Sequence, residues 1–378
     1  MSPRPTVLSR LALPACLLLG SFIPALASAA DITVPLGDFK LWDDGWDPFI
    51  ANDGALIAVS IDHKISHSPG GASLKVTADL TGNTSTYVGI SKNFDNLPVR
   101  TISGWYRSDG VTGIGWRVID STGQCFQTKI PVQDGKTWER LDLAIDDLIT
   151  SEHWGGKNDG AWHGPLTGIS IDPGVDKDKP VGTIWLDGLT AGLTPGSPRP
   201  APHVAPKSAM IEDFEAGTDA WQFLPGQEFP GAAGLVEPSK KAHDGRVAMN
   251  LVADFRGGGQ YIGAHRKDIP EVPGDVLAVM LWVKADGIDS VNARLIDSDG
   301  QVFQGKGFSI MPGKEWQELT MPMKDLVKGE HWGGKNDGVF RAPVTQMTLT
   351  VGIKSVPDKQ GSILFDNVRF IAIPDKNH

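Results

Sequence analysis

Glu152-His153-Trp154-Gly155-Gly156-Lys157-Asn158-Asp159-Gly160 returns without a change at Glu330-His331-Trp332-Gly333-Gly334-Lys335-Asn336-Asp337-Gly338. A nine-residue identity inside one chain marks a tandem repeat, and other blocks follow at nearly the same offset. Asp38-Phe39 matches Asp213-Phe214, Trp46 matches Trp221, Trp105 matches Trp282, Trp138 matches Trp316, and Leu186-Asp187 matches Phe365-Asp366. The offset drifts only from 175 to 179, so the copies differ by few insertions. Pro195, Pro198, Pro200, Pro202 and Pro206 punctuate the join, which reads as a semi-rigid extended linker. The expected organisation is a signal peptide over 1–29, a first domain over 31–193, the linker over 194–208 and a second domain over 209–374.

Within each copy the hydrophobic period is two. Ser73-Leu74-Lys75-Val76-Thr77-Ala78, Trp138-Glu139-Arg140-Leu141-Asp142-Leu143 and Ser362-Ile363-Leu364-Phe365-Asp366-Asn367-Val368 alternate, and turn residues cut the chain about every ten positions. The 45 Gly and 27 Pro, with no long helix-forming tract, agree. The fold class predicted is all-β, two tandem β-sandwich domains, with short helical turns at Ile145-Asp146-Asp147-Leu148 and Met323-Lys324-Asp325-Leu326.

One hairpin can be read to the residue. Arg117-Val118-Ile119-Asp120-Ser121-Thr122-Gly123-Gln124-Cys125-Phe126-Gln127 matches Arg294 to Gln304 at eight of eleven positions. Asp120 to Gln124 fits a three-residue loop, a type I turn closed by Gly in the left-handed region. Then Ile119 opposes Cys125, Val118 opposes Phe126, and Arg117 opposes Gln127 on the face away from Phe126. Arg294 and Gln304 repeat the pair, with Lys129 and Lys306 further along that face. Such a stripe is either a solvated sheet face or a binding surface, since Arg and Gln offer planar donor groups suited to paired hydroxyls.

The unchanged nonapeptide is too rich in Gly and polar residues for a strand interior and is expected to be a loop. In the binding reading, Trp154 and Trp332 present aromatic faces to a sugar ring, and Lys157, Asn158 and Asp159, or Lys335, Asn336 and Asp337, bond its hydroxyls. In the competing reading the Trp folds back over the sandwich edge and the glycines permit the turn. Trp162 and Phe340 lie just beyond and could extend a platform. Trp105, Trp138, Trp282 and Trp316 are expected in the core. Trp42, Trp116 and Trp185 face Gly217, Ala293 and Leu364 in the other copy, which assigns any extra stacking capacity to the first domain.

Thirty-five basic against 45 acidic residues give a net charge of −10, which argues against nucleic acid or an anionic membrane as a partner. Arg4, Arg10, the apolar run Leu11 to Leu26 and Ala27-Ser28-Ala29 read as a secretory signal cleaved near Ala29, for a secreted or periplasmic product. A lipidation box at Leu13-Pro14-Ala15-Cys16 competes, but the apolar run continues past Cys16. Cleavage removes two arginines and moves the charge to −12. It also leaves Cys125 alone, a packing residue without an intramolecular disulfide. No second stretch is long enough to span a bilayer, and the expected state is a monomer.

Enzyme signals are thin. Glu152 with Asp159 and Glu330 with Asp337 are carboxylate pairs of the general kind glycosidases use, though hydrogen bonding within the loop explains them more simply. His153 and His331 lack a second ligand at zinc spacing, and no catalytic residue is assigned.

The second copy opens with Ile211-Glu212-Asp213-Phe214-Glu215-Ala216-Gly217, reaches Trp221 and closes with Phe365-Asp366-Asn367-Val368. This resembles the galactose-binding-like jelly roll of non-catalytic carbohydrate-binding modules and the related domain of complex I assembly factors. The resemblance implies polysaccharide as partner, with a protein-assembly role as the alternative. In such modules the opening Glu and closing Asp often share a structural calcium ion, which implies Glu215 and Asp366 as ligands here. The first copy has Asp187 but Lys40 in place of Glu215, so the expectation there is that the Lys40 ammonium replaces the cation beside Asp187.

Overall fold

The computed structural model describes residues 32–374 apart from 133–135, 150–151, 199–203, 312 and 314. The expected signal peptide and part of the linker lie outside the described residues. Four antiparallel sheets form two sandwiches of the same topology.

In domain 1 the hairpin sheet runs Glu152–Trp154, Cys125–Pro131, Gly113–Asp120, Leu166–Gly174, Val88–Leu97, Asp47–Ile50. The closing sheet runs Leu56–Asp62, Ser73–Asp79, Val181–Leu193, Val99–Asp109, Glu139–Ala144, with Thr33–Gly37 also paired to Val181–Leu193. Domain 2 repeats both. Its hairpin sheet is Glu330–Gly333, Gln301–Gln304, Ser290–Ile296, Gln346–Gly352, Tyr261–Arg266, Trp221–Leu224. Its closing sheet is Ala233–Ser239, Ala248–Asp254, Gln360–Ile373, Asp275–Asp286, Gln317–Pro322. The expected helical turns stand at Ile145–Leu148 and Met323–Val327.

Alternation decides which residues are inside. Along Ser73–Asp79, Leu74, Val76 and Ala78 are fully buried while Lys75 and Thr77 are not, and each large apolar side chain so buried contributes about 1.5–3 kcal/mol. The hairpin has the register read from the sequence: Ile119 pairs Cys125, Val118 pairs Phe126, Arg117 pairs Gln127, and Arg294 pairs Gln304. Its turn closes as expected, with Gly123 at φ +85° and its N–H donating to the Asp120 carbonyl at 3.0 Å. The Asp120 carboxylate accepts the N–H groups of Thr122 and Gln124, which pins the corner.

Four tryptophans expected in the core are not there. Trp105 and Trp282 are half-buried on the outer face of the closing sheets, each stacked on a histidine, His67 or His243, at 3.7 Å between ring centroids. Trp138 and Trp316 meet the same histidines edge-on. The core positions beside Trp105 and Trp282 belong to Tyr106, Leu281 and Val283. Of the unmatched tryptophans of domain 1, Trp42 packs half-buried against the core, and the other two supply no stacking face. Trp116 is fully buried, and Trp185, 7% exposed, is flanked by Lys75 and Arg107.

Candidate functional site

The invariant nonapeptide is half strand. Glu152–Trp154 and Glu330–Gly333 pair as edge strands with the second hairpin strand, Trp154 opposite Cys125 and Trp332 opposite Val302. This corrects the all-loop expectation: three consecutive extended residues suffice for an edge strand, and the glycines act only afterwards. Because side chains alternate, Glu152 and Trp154 share the outer face with Arg117 and Gln127, while His153 turns toward Phe126.

The rest of the nonapeptide is tied to the hairpin. Gln124, fully buried, donates from Nε2 to the Ala161 carbonyl at 2.7 Å and accepts the Gly160 N–H at 3.2 Å. Gln301 does the same with Val339 and Gly338. Asn158 and Asn336 sit at φ +52°, where Asn is tolerated. A Cβ on Gly156 or Gly334 would collide with the backbone of Gln124 or Gln301. Asp159 bonds the Ala161 N–H and His163, and these contacts hold its carboxyl below the usual range. Asp337 is held lower still by a two-pronged pairing with Arg341, helped by the Val339 N–H. Lys335 pairs with Asp299 at 2.8 Å, and the Lys157 N–H faces Thr122. Asp159, Asp337 and Lys335 therefore engage partners within their own loop and hairpin, and Asn158 and Asn336 supply its left-handed backbone. Asp159 and Asp337, ionised and saturated with donors, are equally unsuited to acid catalysis.

Trp162 and Phe340 form no platform. Both rings are half-buried and pack inward, Trp162 on Phe126 at 5.7 Å and Phe340 on Phe303 at 5.5 Å. Phe340 lines a separate small cavity of about 200 Å³ with Val276, Pro343 and Phe370.

The outer face of the domain 2 hairpin sheet holds a cleft of about 570 Å³, within the size range of ligand sites. Trp332, 39% exposed, stands on one side and Tyr261 with Phe229 on the other. Between them lies the Arg294 guanidinium, 4.1 Å from the Tyr261 ring centroid and 5.5 Å from that of Trp332. Its Nε donates to Gln304 Oε1, which fixes the plane of the fork. Asn292, Thr350 and Ser290 add hydroxyl and amide groups, and Glu330 and Glu228 supply carboxylate acceptors, Glu228 accepting the Tyr261 hydroxyl.

Domain 1 repeats the Trp, Tyr, Arg and Gln of this constellation, while Asn292 and Ser290 become Gly115 and Gly113. Trp154 is 41% exposed and Tyr87 46%. Arg117 stacks on Tyr87 at 4.6 Å and donates from Nε to Gln127 Oε1 at 2.6 Å. Thr350 becomes Asp172, whose carboxylate lies 3.1 Å from Arg117 Nη1. Burial pushes the Asp172 carboxyl up while Arg117 and Lys129 pull it down. Domain 1 thus offers an arginine paired directly with a carboxylate, and domain 2 one that donates to Gln304 between two aromatic faces, with the Glu228 carboxylate nearby.

Of the residues anticipated, Arg117, Gln127 and Trp154, and Arg294, Gln304 and Trp332, come together. Sequence reasoning missed Tyr87 and Tyr261. The signal was present: Tyr87-Val88-Gly89-Ile90 parallels Tyr261-Ile262-Gly263-Ala264, and these are two of only three tyrosines.

The residues expected to hold calcium do not fit it. Glu215 accepts the N–H groups of Arg246 and Val247, and Asp366 those of His243 and Asp244, so the two carboxylates anchor one backbone segment. Among the described residues no three His, Cys, Asp or Glu side chains are placed to hold a metal ion. Lys40 does not stand in for a cation either: it pairs with Asp38 at the surface, and Asp187 takes the His67 and Ser68 N–H groups. Backbone amides fill the role assigned to a cation in both copies. Cys125 is buried and its thiol is pushed up to about 11 by burial, in keeping with a packing role.

No family model and no curated protein matches the chain. Solved structures similar to it include a family 11 carbohydrate-binding module of the cellulosomal cellulase Lic26A-Cel5E of Clostridium thermocellum, 15% identical over 44% of this chain and 97% of that one, with a TM-score of 0.35. A family 11 module from the same organism, in complex with a β-1,3-1,4-mixed-linked tetrasaccharide, is 15% identical over 43% and 96%, at 0.34. The tandem CBM22-1-CBM22-2 domain of Paenibacillus barcinonensis Xyn10C is 14% identical over 92% of this chain and all of that one, at 0.29. At these identities and scores the likeness establishes neither fold nor ligand by itself. Among the described residues, no helix is long and apolar enough to cross a membrane.

Proposed function

We propose that this is a secreted, non-catalytic carbohydrate-binding protein with two related clefts, the domain 2 cleft being the stronger. One observation carries the reading: an exposed Trp and a Tyr face each other across an Arg–Gln row, and the set occurs in both copies. Sugar rings need apolar faces for their C–H surfaces and planar donors and acceptors for adjacent hydroxyls. The cleft of domain 2 offers both, and its Glu228 and Glu330 carboxylates favour a neutral glycan over a polyanionic one.

The test is affinity electrophoresis against a panel of neutral and acidic polysaccharides, comparing wild type with Trp154→Ala, Trp332→Ala and the double variant. Retardation by a neutral glycan, reduced stepwise, supports the proposal. No retardation by any glycan refutes it and directs attention to a protein partner, and release of reducing sugar refutes its non-catalytic part.

A further inference from the structure

The two sandwiches meet through surfaces that differ between the copies. On the outer face of the domain 2 closing sheet, Ala278, Met280 and Ile371 are fully buried and belong to the apolar cluster of domain 1. The residues between and beside them, Val279, Leu281 and Phe370, fill the core of domain 2. Strand Leu56–Asp62 of domain 1 lies against Gln317–Pro322 of domain 2. Lys324 pairs with Asp47 across the junction. Glu318, buried and paired with Arg369, lies 3.7 Å from His63.

The repeat provides an internal control. Aligning the copies places Thr101, Ser103 and Gly192 of domain 1 where domain 2 has Ala278, Met280 and Ile371. Asp146 stands at the position of Lys324, Arg140 at that of Glu318 and Gln222 at that of Asp47. Thr101, Ser103 and Gly192 are only half-buried in their own sheet. On the covered face of domain 2, apolar side chains stand where domain 1 has polar or small ones, and Lys324 and Glu318 stand where domain 1 has residues of opposite sign; on the domain 1 side of the junction, the charged Asp47 stands where domain 2 has the neutral Gln222. Random drift between two copies has no reason to concentrate such changes on the surfaces that meet at one junction.

We infer that the two sandwiches are locked into one rigid body by this interface, so that the Pro-rich join is a covalent connection and not a tether that sets how the domains move. The lock does not depend on the carbohydrate reading. Its consequence does: the two clefts then act at a fixed separation, and linker length has no influence on their joint affinity, unlike flexibly tethered modules.

Small-angle X-ray scattering on the mature chain tests the lock without any ligand. A ten-residue Gly-Ser insert between 194 and 206 allows a free domain to wander by roughly 17 Å. The lock predicts that radius of gyration and maximum dimension stay at the wild-type values; expansion of the lengthened chain overturns it. Met280→Asp in the lengthened chain places a charge in the covered face and is expected to expand it. The milder Lys324→Asp should also expand it, and adding Asp47→Lys should restore compactness. If both single variants stay compact while folded by circular dichroism, the interface is not what holds the domains, and the inference fails.

Discussion

Replacing Trp332 with alanine removes one wall of the domain 2 cleft and leaves its floor in place. Trp332 is 39% exposed. A Trp side chain presents up to about 250 Å², so about 100 Å² is open to a ligand, and a sugar ring covering one face takes about half of that. At about 25 cal/mol per Å², the lost contact is worth about 1.3 kcal/mol, close to tenfold in Kd. The cation–π contact with Arg294 is lost as well, which loosens the fork by about 0.5–1 kcal/mol and adds to the effect. Isothermal titration with the best glycan of the panel, in a Trp154→Ala background so that only domain 2 is read, gives the number directly. Trp332→Phe keeps part of the face and should lose about threefold. The side chain stands on an edge strand, but about three-fifths of it is buried, so the variant should melt earlier than wild type, and the titration is run where circular dichroism shows it folded. Binding within twofold of the reference by a folded Trp332→Ala chain would refute the reasoning.

Further outcomes follow from the same structure. Thr350→Asp combined with Asn292→Gly copies the Asp172–Gly115 pair of domain 1 beside Arg294 and should engage its guanidinium, weakening domain 2 binding about tenfold by titration; unchanged affinity would show that the fork does not contact the glycan. Burial pushes the Asp43 carboxyl up to about 7 from 3.8, helped by Asp44 and Asp47 and opposed by the Gly45 N–H and Lys324. Between these values the unfolded chain has already lost a proton that the folded chain keeps, so the contribution is full below about 4 and is lost as pH rises toward 7, at up to about 1.4 kcal/mol per unit. Denaturant titrations of wild type and Asp43→Asn across this window should therefore differ in slope, and parallel curves would dispose of the assignment. Since amides occupy the carboxylates of Glu215 and Asp366, a chelator should leave the calorimetric melting profile unmoved, and a shift of either transition would reinstate a cation there.

The parts legible in the sequence were those with one local solution. A three-residue turn closed by Gly123 or Gly300 admits one register, and that register put Arg117 beside Gln127 and Arg294 beside Gln304 before any coordinates. The loop's constancy was legible too, but not its cause: a buried Gln124 or Gln301 reading its backbone lies about 35 residues away in sequence. The tryptophans were harder. In Gly104-Trp105-Tyr106 alternation fixes that neighbours face opposite ways but not which one faces in, and the core took Tyr106. Tyr87 and Tyr261 escaped because one immediately precedes a strand and the other opens one, where composition gives no reason to expect a wall of a cleft.

The central claim is that Trp332, Arg294 and Tyr261 of domain 2 meet the ligand while the loop residues Lys335, Asn336 and Asp337 do not. Titrating an isotope-labelled chain of residues 30–378 with an oligosaccharide of the bound glycan, and following the Trp332 indole N–H, the Arg294 Nε–H and the backbone amides, tests it most directly. The account predicts saturable shifts at Trp332, Arg294, Gln304 and Tyr261, with the amides of 335–337 nearly still. Shifts confined to 335–337, or to the His243–Trp282–Trp316 face of the other sheet, would contradict it.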